Sequence, residues 1–167
     1  YRIDPADLAA RIPDGTKLVL MTNLHNPSGV WLSPDEIRAV AAAAGAKGAW
    51  LFIDEVYLEF MPGEAAGTAF GLADNVITAA SLTKVFGLSG LRCGWILVPD
   101  SLVPLFRRAL DHFNVEPVFP AEQISARIFP LLDGIKEKRR AEWEDRRSSA
   151  AAFSAGEPRL SWIEPSA

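Results

Sequence analysis

The chain has 167 residues, of which 49% are hydrophobic and 23% charged, a composition typical of one globular domain. The net charge of −4 gives no support for nucleic-acid binding, and no apolar run approaches the roughly eighteen residues that a membrane span needs. One cysteine, Cys93, excludes an internal disulfide and is typical of a reducing cytoplasm, and two histidines cannot form a Cys/His metal cluster.

The first part of the chain alternates apolar strands with a helix. KLVLMTN (17–23) and AWLFID (49–54) predict buried strands. Between them, Ser33 and Glu36 form a capping-box pattern that begins a predicted helix at 34–44. A strand, a helix and a strand in close succession are typical of a parallel sheet.

Two more strands are predicted at 75–81 and 93–99. The segment between them is shorter than the dozen or so residues of a parallel crossover, so the fourth strand is predicted to be antiparallel. Helical periodicity then covers 100–112, 117–132 and 134–153.

The two ends of the chain differ from ordinary termini. The sequence begins at Tyr1 without an initiator methionine, close to a predicted turn at Asp4-Pro5. LSWIE (160–164) predicts a strand of another subdomain that enters a turn as the sequence stops. We therefore expect the chain to be part of a longer protein.

Polar side chains follow three of the predicted strands. Asn26 comes after the first strand, Asp54 and Tyr57 end the second, and Ser81 and Lys84 follow the third. Ligands of doubly wound sheets bind beyond the carboxyl ends of parallel strands, so these groups are predicted to meet at one edge.

The residue types at this edge favour one cofactor. A lysine amine attacks a carbonyl only in its neutral form, which partial burial or a positive charge such as that of Arg92 favours. The planar guanidinium of Arg92 and the hydroxyls of Ser81 and Thr83 suit a phosphate. A lysine for an aldehyde beside a phosphate site describes a pocket for pyridoxal 5′-phosphate (PLP), whose pyridinium nitrogen would pair with Asp54.

Three segments carry a family resemblance. NLHNPSG (23–29), FIDEVYLEF (52–60) and SLTKVFGLSGLRCGW (81–95) resemble the signature segments of class I/II (fold type I) PLP-dependent aminotransferases, in family order. The resemblance implies a three-layer α-β-α sandwich with a mostly parallel sheet. It also implies that residues 1–132 are part of the large PLP-binding domain, and that 133–167 are a linking helix and the start of a small C-terminal domain.

The resemblance also implies a function and a setting. The function is transfer of an amino group between an amino acid and a 2-oxo acid, and the setting is a homodimer. The composition predicts a cytoplasmic location and no nucleic-acid or membrane partner. Lys84 would form the Schiff base with the cofactor and move a proton to and from the substrate α-carbon. Asp54 would bind the pyridinium nitrogen, and Tyr57 would donate to the phenolic oxygen of the cofactor.

The remaining cofactor contacts implied by the resemblance lie in two loops. Asn26 would contact the same phenolic oxygen, and the Asn26-Pro27 bond is expected to be cis. Ser81 and Arg92 would bind the phosphate, with Thr83 as a weaker candidate. Taken singly, each residue has an ordinary explanation: Asp54 could cap a loop, and His25 is expected to make a local hydrogen bond.

Three elements of the family are not found in these residues: an upstream glycine-rich turn with an aromatic residue that stacks on the cofactor ring, a tyrosine from the partner subunit, and a C-terminal arginine for the substrate carboxylate. Arg159 falls too early for that last role, so we expect the 167 residues alone to be catalytically incomplete. Two alternatives stay open: another fold type I PLP enzyme (a carbon–sulfur lyase, decarboxylase or synthase), or the aminotransferase-like effector domain of a transcription regulator.

Overall fold

The computed structural model describes residues 3–61, 67–114, 118–162 and 164–166. In these residues the helices and strands follow the order α1 (Pro5–Arg11), β1 (Leu18–Thr22), α2 (Pro34–Gly45), β2 (Trp50–Asp54), β3 (Val76–Ser81), β4 (Gly94–Leu97), α3 (Val103–Phe113), α4 (Phe119–Ile128) and α5 (Leu132–Gly156).

The four strands form one sheet in the order β1-β2-β3-β4. Strands β1, β2 and β3 are parallel, and β4 pairs antiparallel with β3. The first four predicted strands, the mostly parallel α/β sheet and the antiparallel fourth strand are confirmed. The reversal at β4 follows from the short segment before it, which allows a loop but no crossover helix.

Helix α2 begins where the sequence predicts. The Ser33 hydroxyl accepts a hydrogen bond from the Glu36 backbone N–H (3.3 Å), and the Glu36 carboxylate accepts one from the Ser33 N–H (2.8 Å). This reciprocal capping box satisfies two backbone donors that have no partner inside the helix.

Helix α2 covers one face of the sheet. Its apolar side chains pack against alternate strand residues in a core that includes Ile37, Val40, Ala41, Ala44, Met21, Leu51, Ile53 and Val76. The alternation of side chains along each strand sends the intervening residues to the other face. There Leu18 and Leu20 are 50% and 65% exposed, so the face opposite α2 is open along β1.

Two features near the ends differ from the sequence predictions. The Asp4-Pro5 signal begins a helix and not just a turn, because the Asp4 carboxylate accepts from the Ala6 N–H (2.8 Å) and Pro5 suits the first helical position. The predicted strand at 160–164 is wrong for its described residues 160–162 and 164. The Leu160 N–H donates to the Glu157 carbonyl (3.0 Å) in a turn. In a strand, this N–H would donate to the backbone of an adjacent strand.

The described residues from Val103 to Gly156 are mainly helical, as predicted. Helix α5 has no buried residue, in agreement with a long exposed helix that carries charges of both signs. Across the described ranges, no helix combines the length and the apolarity that crossing a bilayer would require.

Candidate functional site

The carboxyl ends of β1 and β2 place two site residues side by side. Thr22 pairs with Asp54, and Asp54 pairs with Ala79 of β3. Ser81 lies two residues beyond Ala79, so the alternation of side chains puts it on the same face. Thr22, Asp54 and Ser81 therefore share the face opposite α2, as expected for a ligand site at the ends of parallel strands.

The loop after β1 is fixed to this edge by its backbone. The Asn26 N–H donates to the Thr22 hydroxyl (3.1 Å), and the Asn23 N–H donates to the Asp54 carbonyl (3.0 Å). The Asn26-Pro27 bond is cis, as expected. The His25 ring nitrogen Nδ1 shares a hydrogen bond with the Ser28 hydroxyl (2.7 Å), which is the predicted local bond.

The buried side chain of Asn23 holds the two ends of the loop together. Its Oδ1 accepts from the Leu32 N–H (2.9 Å), and its Nδ2 donates to the Leu32 carbonyl (3.2 Å). The loop from 23 to 32 is thereby closed, and Asn26 lies within it. Neither Asn23 nor Thr22 was identified from the sequence as a site residue, although both are polar residues at the end of an apolar strand.

Two of the predicted site residues line one pocket. Asn26 and Tyr57 both border a cavity of about 180 Å³, together with Leu24, His25, Pro27, Gly29 and Phe60. Tyr57 is half-buried, and its ring stacks near Phe60 with centroids 6.2 Å apart. The structure thus brings together two side chains that the chain separates by thirty-one positions.

Asp54 is half-buried at the end of β2. One oxygen of its carboxylate accepts from the Val56 N–H (2.9 Å). Asp54 therefore caps its own loop, which fixes the orientation of the carboxylate at the strand end.

Lys84 lies in a closed loop between β3 and β4. The Leu82 N–H donates to the Cys93 carbonyl (3.1 Å), and the Leu88 N–H donates to the Leu82 carbonyl (3.0 Å). Leu82 is fully buried, while Lys84 is exposed. The buried neighbours fix the backbone and leave the amine accessible.

The predicted phosphate ligands lie at the two ends of this loop. The Ser81 hydroxyl accepts from the Thr83 N–H (3.2 Å), so its own hydrogen can be donated to a ligand. Arg92 has a left-handed backbone (φ 52°) and is exposed, with Nη1 donating to the Ser89 carbonyl (3.2 Å). A non-glycine residue in this conformation is uncommon and is often associated with function.

The predicted site residues do not all line one cavity. Ser81 borders a separate cavity of about 150 Å³ that also includes Glu55, Ala80 and Trp95. In the described part of the chain, no group of three His, Cys, Asp or Glu side chains could hold a metal ion.

Glu55 is a buried acid that the sequence analysis missed. Its carboxylate accepts from the Thr68 hydroxyl and the Ala69 N–H (2.6 Å each), and the residue is only 5% exposed. Burial raises the pKa of Glu55, although these hydrogen bonds partly oppose the shift, and the negative charge of Glu59 raises it further. Its sequence signal is an acidic residue inside the apolar run FIDEVY, directly after Asp54.

Comparison of the sequence with known protein families identifies one family to which the chain is similar. The profile of the family "Aminotransferase class I and II" matches residues 1–166. The chain belongs to this family. The resemblance stated above for the three segments is confirmed at the level of the family.

Several curated relatives of the chain are histidinol-phosphate aminotransferases. The chain is 35% identical to histidinol-phosphate aminotransferase 1 of Archaeoglobus fulgidus over 114 residues, which cover 68% of this chain and 33% of the relative. It is 32% identical to histidinol-phosphate aminotransferase 1 of Caulobacter vibrioides, covering 80% of this chain and 36% of the relative. The chain thus spans about a third of the length of these relatives.

Solved structures share the fold. A PLP-dependent aminotransferase from Streptococcus suis superposes with a TM-score of 0.88 at 24% identity, covering 98% of this chain and 43% of the other. The PLP-dependent cyclase OrfR superposes with a TM-score of 0.82 at 30% identity, covering 98% of this chain and 44% of the other. The predicted α/β fold type is therefore shown by structure as well as by sequence.

Proposed function

We propose that the protein containing this chain is a PLP-dependent aminotransferase that moves an amino group between an amino acid and a 2-oxo acid. The observation that carries the proposal is the position of three polar residues at one sheet edge: Asn26, Asp54 and Ser81. Lys84 lies on the loop that follows Ser81, between β3 and β4. Membership of the class I and II aminotransferases supports it.

The groups present at this edge fit the cofactor chemically. A carboxylate with one oxygen fixed by the Val56 N–H suits a pyridinium nitrogen. A hydroxyl whose acceptor position is already used by the Thr83 N–H is free to donate its hydrogen to a phosphate. Arg92 adds a permanent positive charge for the same phosphate, and Lys84 is exposed, which leaves its amine accessible to an aldehyde.

Each residue would then have a defined task. Lys84 would hold the cofactor through its amine and would carry the proton that leaves and returns at the substrate α-carbon. Asp54 would hold the ring nitrogen protonated, and Tyr57 with Asn26 would donate to the phenolic oxygen. Ser81, Thr83 and Arg92 would bind the phosphate. PLP, when bound, supplies the electron sink that stabilises the carbanion.

Borohydride trapping tests the assignment of Lys84. The full gene product is mixed with PLP, reduced and digested, and pyridoxyl adducts are located by mass, with Lys84→Ala as the control. We expect the adduct on Lys84 and its loss in the variant. Labelling spread evenly over the lysines, or its absence, would refute the role of Lys84.

A second candidate function is another reaction that uses the same cofactor. The structural similarity to the PLP-dependent cyclase OrfR supports this candidate. The two are separated by co-substrate dependence, because an aminotransferase needs a 2-oxo acid for repeated turnover and a cyclase or lyase does not. Histidinol phosphate is the first amino donor to test, because the curated relatives are named for it. The same assay on the 167 residues alone tests the prediction that they are catalytically incomplete.

We also propose a homodimer as the working form, and a boundary near residue 132 between the large domain and the linking helix. The start of α5 at Leu132 supports this boundary. Sedimentation of the full gene product tests the dimer.

A further inference from the structure

The first half of α5 packs against the loop that carries Lys84. Leu82, Val85 and Phe86 form a buried apolar cluster, and Leu132 and Ile135 of α5 pack against it. Val85 directly follows Lys84 and is 1% exposed. The position of the lysine backbone is therefore linked to the position of this helix.

Arg139 of α5 makes the polar contact within this packing. Its Nη1 donates to the Val85 carbonyl (3.2 Å). Gly87 has a positive φ of 70°, and a Cβ at that position would overlap the Arg139 guanidinium. The guanidinium thus occupies the space that a glycine at position 87 leaves open.

The same arginine is connected to the turn that carries Tyr57. Its guanidinium carbon lies 5.9 Å from the centre of the Trp143 ring. Trp143 meets Phe60 edge to face, with centroids 4.5 Å apart, and Phe60 stacks near Tyr57. One turn earlier on α5, Lys136 pairs with Glu59 at 2.6 Å.

We propose that Arg139 is a positioning residue, which acts with Trp143 to hold the Lys84 loop and the Tyr57 turn in a fixed relation for cofactor capture. The proposal rests on the proposed function. Arg139 touches neither residue itself and acts through the Val85 carbonyl and the Trp143 ring. A purely stabilising arginine would change the stability of the fold but not the selectivity for Lys84 in the folded protein.

The test compares Arg139→Met and Arg139→Lys in the full gene product. Arg38→Met is the matched control, because Arg38 is an exposed arginine that pairs with Asp35 (2.7 Å) on α2, the helix on the opposite face of the sheet from the site. Each protein is checked for folding by thermal unfolding, and its PLP affinity and the fraction of trapped adduct on Lys84 are measured. We expect Arg139→Met to weaken PLP binding by up to about tenfold, because part of the binding energy would then be used to order the loosened Lys84 loop. The share of label on Lys84 should fall, Arg139→Lys should recover part of both effects, and Arg38→Met should match the wild type.

A folded Arg139→Met protein with wild-type affinity and wild-type labelling of Lys84 would overturn the proposal. If that variant does not fold, PLP affinity and Lys84 labelling are measured in Trp143→Leu instead. This change removes the ring beside the guanidinium and does not alter the hydrogen bond to the Val85 carbonyl. Wild-type affinity and labelling in Trp143→Leu would likewise overturn the coupling. Absence of a Lys84 adduct in the wild type would overturn the proposed function and this inference together, whereas a labelled wild type with an unaffected Arg139→Met variant overturns only the inference.

Discussion

Replacement of Asn23 by alanine should destabilise the fold substantially. Asn23 is 2% exposed, and its side chain makes two hydrogen bonds to the backbone of Leu32, which is itself 4% exposed. Alanine would leave the buried N–H and C=O of Leu32 without these partners. Each orphaned group costs about 1–3 kcal/mol, so the pair is expected to cost about 3 kcal/mol.

Urea unfolding of the wild type and Asn23→Ala, followed by tryptophan fluorescence, measures this cost. The midpoint should fall with little change in the m-value, and the melting temperature should fall by about 6–12 °C for a chain of this size. Asn114→Ala is the matched control, because Asn114 is exposed and its replacement should change the free energy of unfolding by less than about 0.5 kcal/mol.

The Asn23→Asp variant separates the two hydrogen bonds. Aspartate keeps an acceptor for the Leu32 N–H but places a second carboxylate oxygen against the Leu32 carbonyl. Protonation would restore a donor, so we expect this variant to recover stability relative to Asn23→Ala as the pH falls. An Asn23→Ala protein within about 0.5 kcal/mol of the wild type, with an unchanged m-value, would refute the reasoning.

Three further predictions concern stability. Burial raises the pKa of Glu55 in the folded protein. The stability that its side chain contributes is therefore fully present below the pKa that Glu55 has in the unfolded chain, and it is lost as the pH rises through the folded pKa. The free energy of unfolding of the wild type relative to Glu55→Gln should therefore decline in urea titrations as the pH rises above the ordinary pKa of a glutamate, about 4.3, and a constant difference would contradict this. Gly94→Ala should lower the free energy of unfolding by about 1–3 kcal/mol, because a Cβ there would lie 3.0 Å from the Ala80 carbonyl oxygen. Gly90→Ala is the control, since a Cβ at that position has nothing within 4 Å. Equal effects of the two variants in thermal unfolding would disprove the prediction. Ser33→Ala should cost about 1 kcal/mol by loss of the α2 cap, and an unchanged urea midpoint would show that the cap contributes nothing.

Local sequence patterns were enough to predict the four strands of the sheet and the start of α2. These features depend on neighbours within a few positions: alternating or continuous apolar residues for the strands, and the Ser33–Glu36 pair for the helix. The placement of Asn26, Asp54 and Ser81 at one edge also follows from the sequence, because each directly follows or ends a parallel strand. The antiparallel β4 was predictable from the length of the loop alone.

The contacts that hold the site in place depend on tertiary packing. Arg139 and the Val85 carbonyl are fifty-four positions apart, and Glu55 meets Ala69 fourteen positions on. No local pattern identifies such pairs, because each is chosen by which surfaces pack together once the sheet has formed. The predicted strand at 160–164 is wrong for a related reason: apolar residues form a strand only where a neighbouring strand can complete their backbone hydrogen bonds.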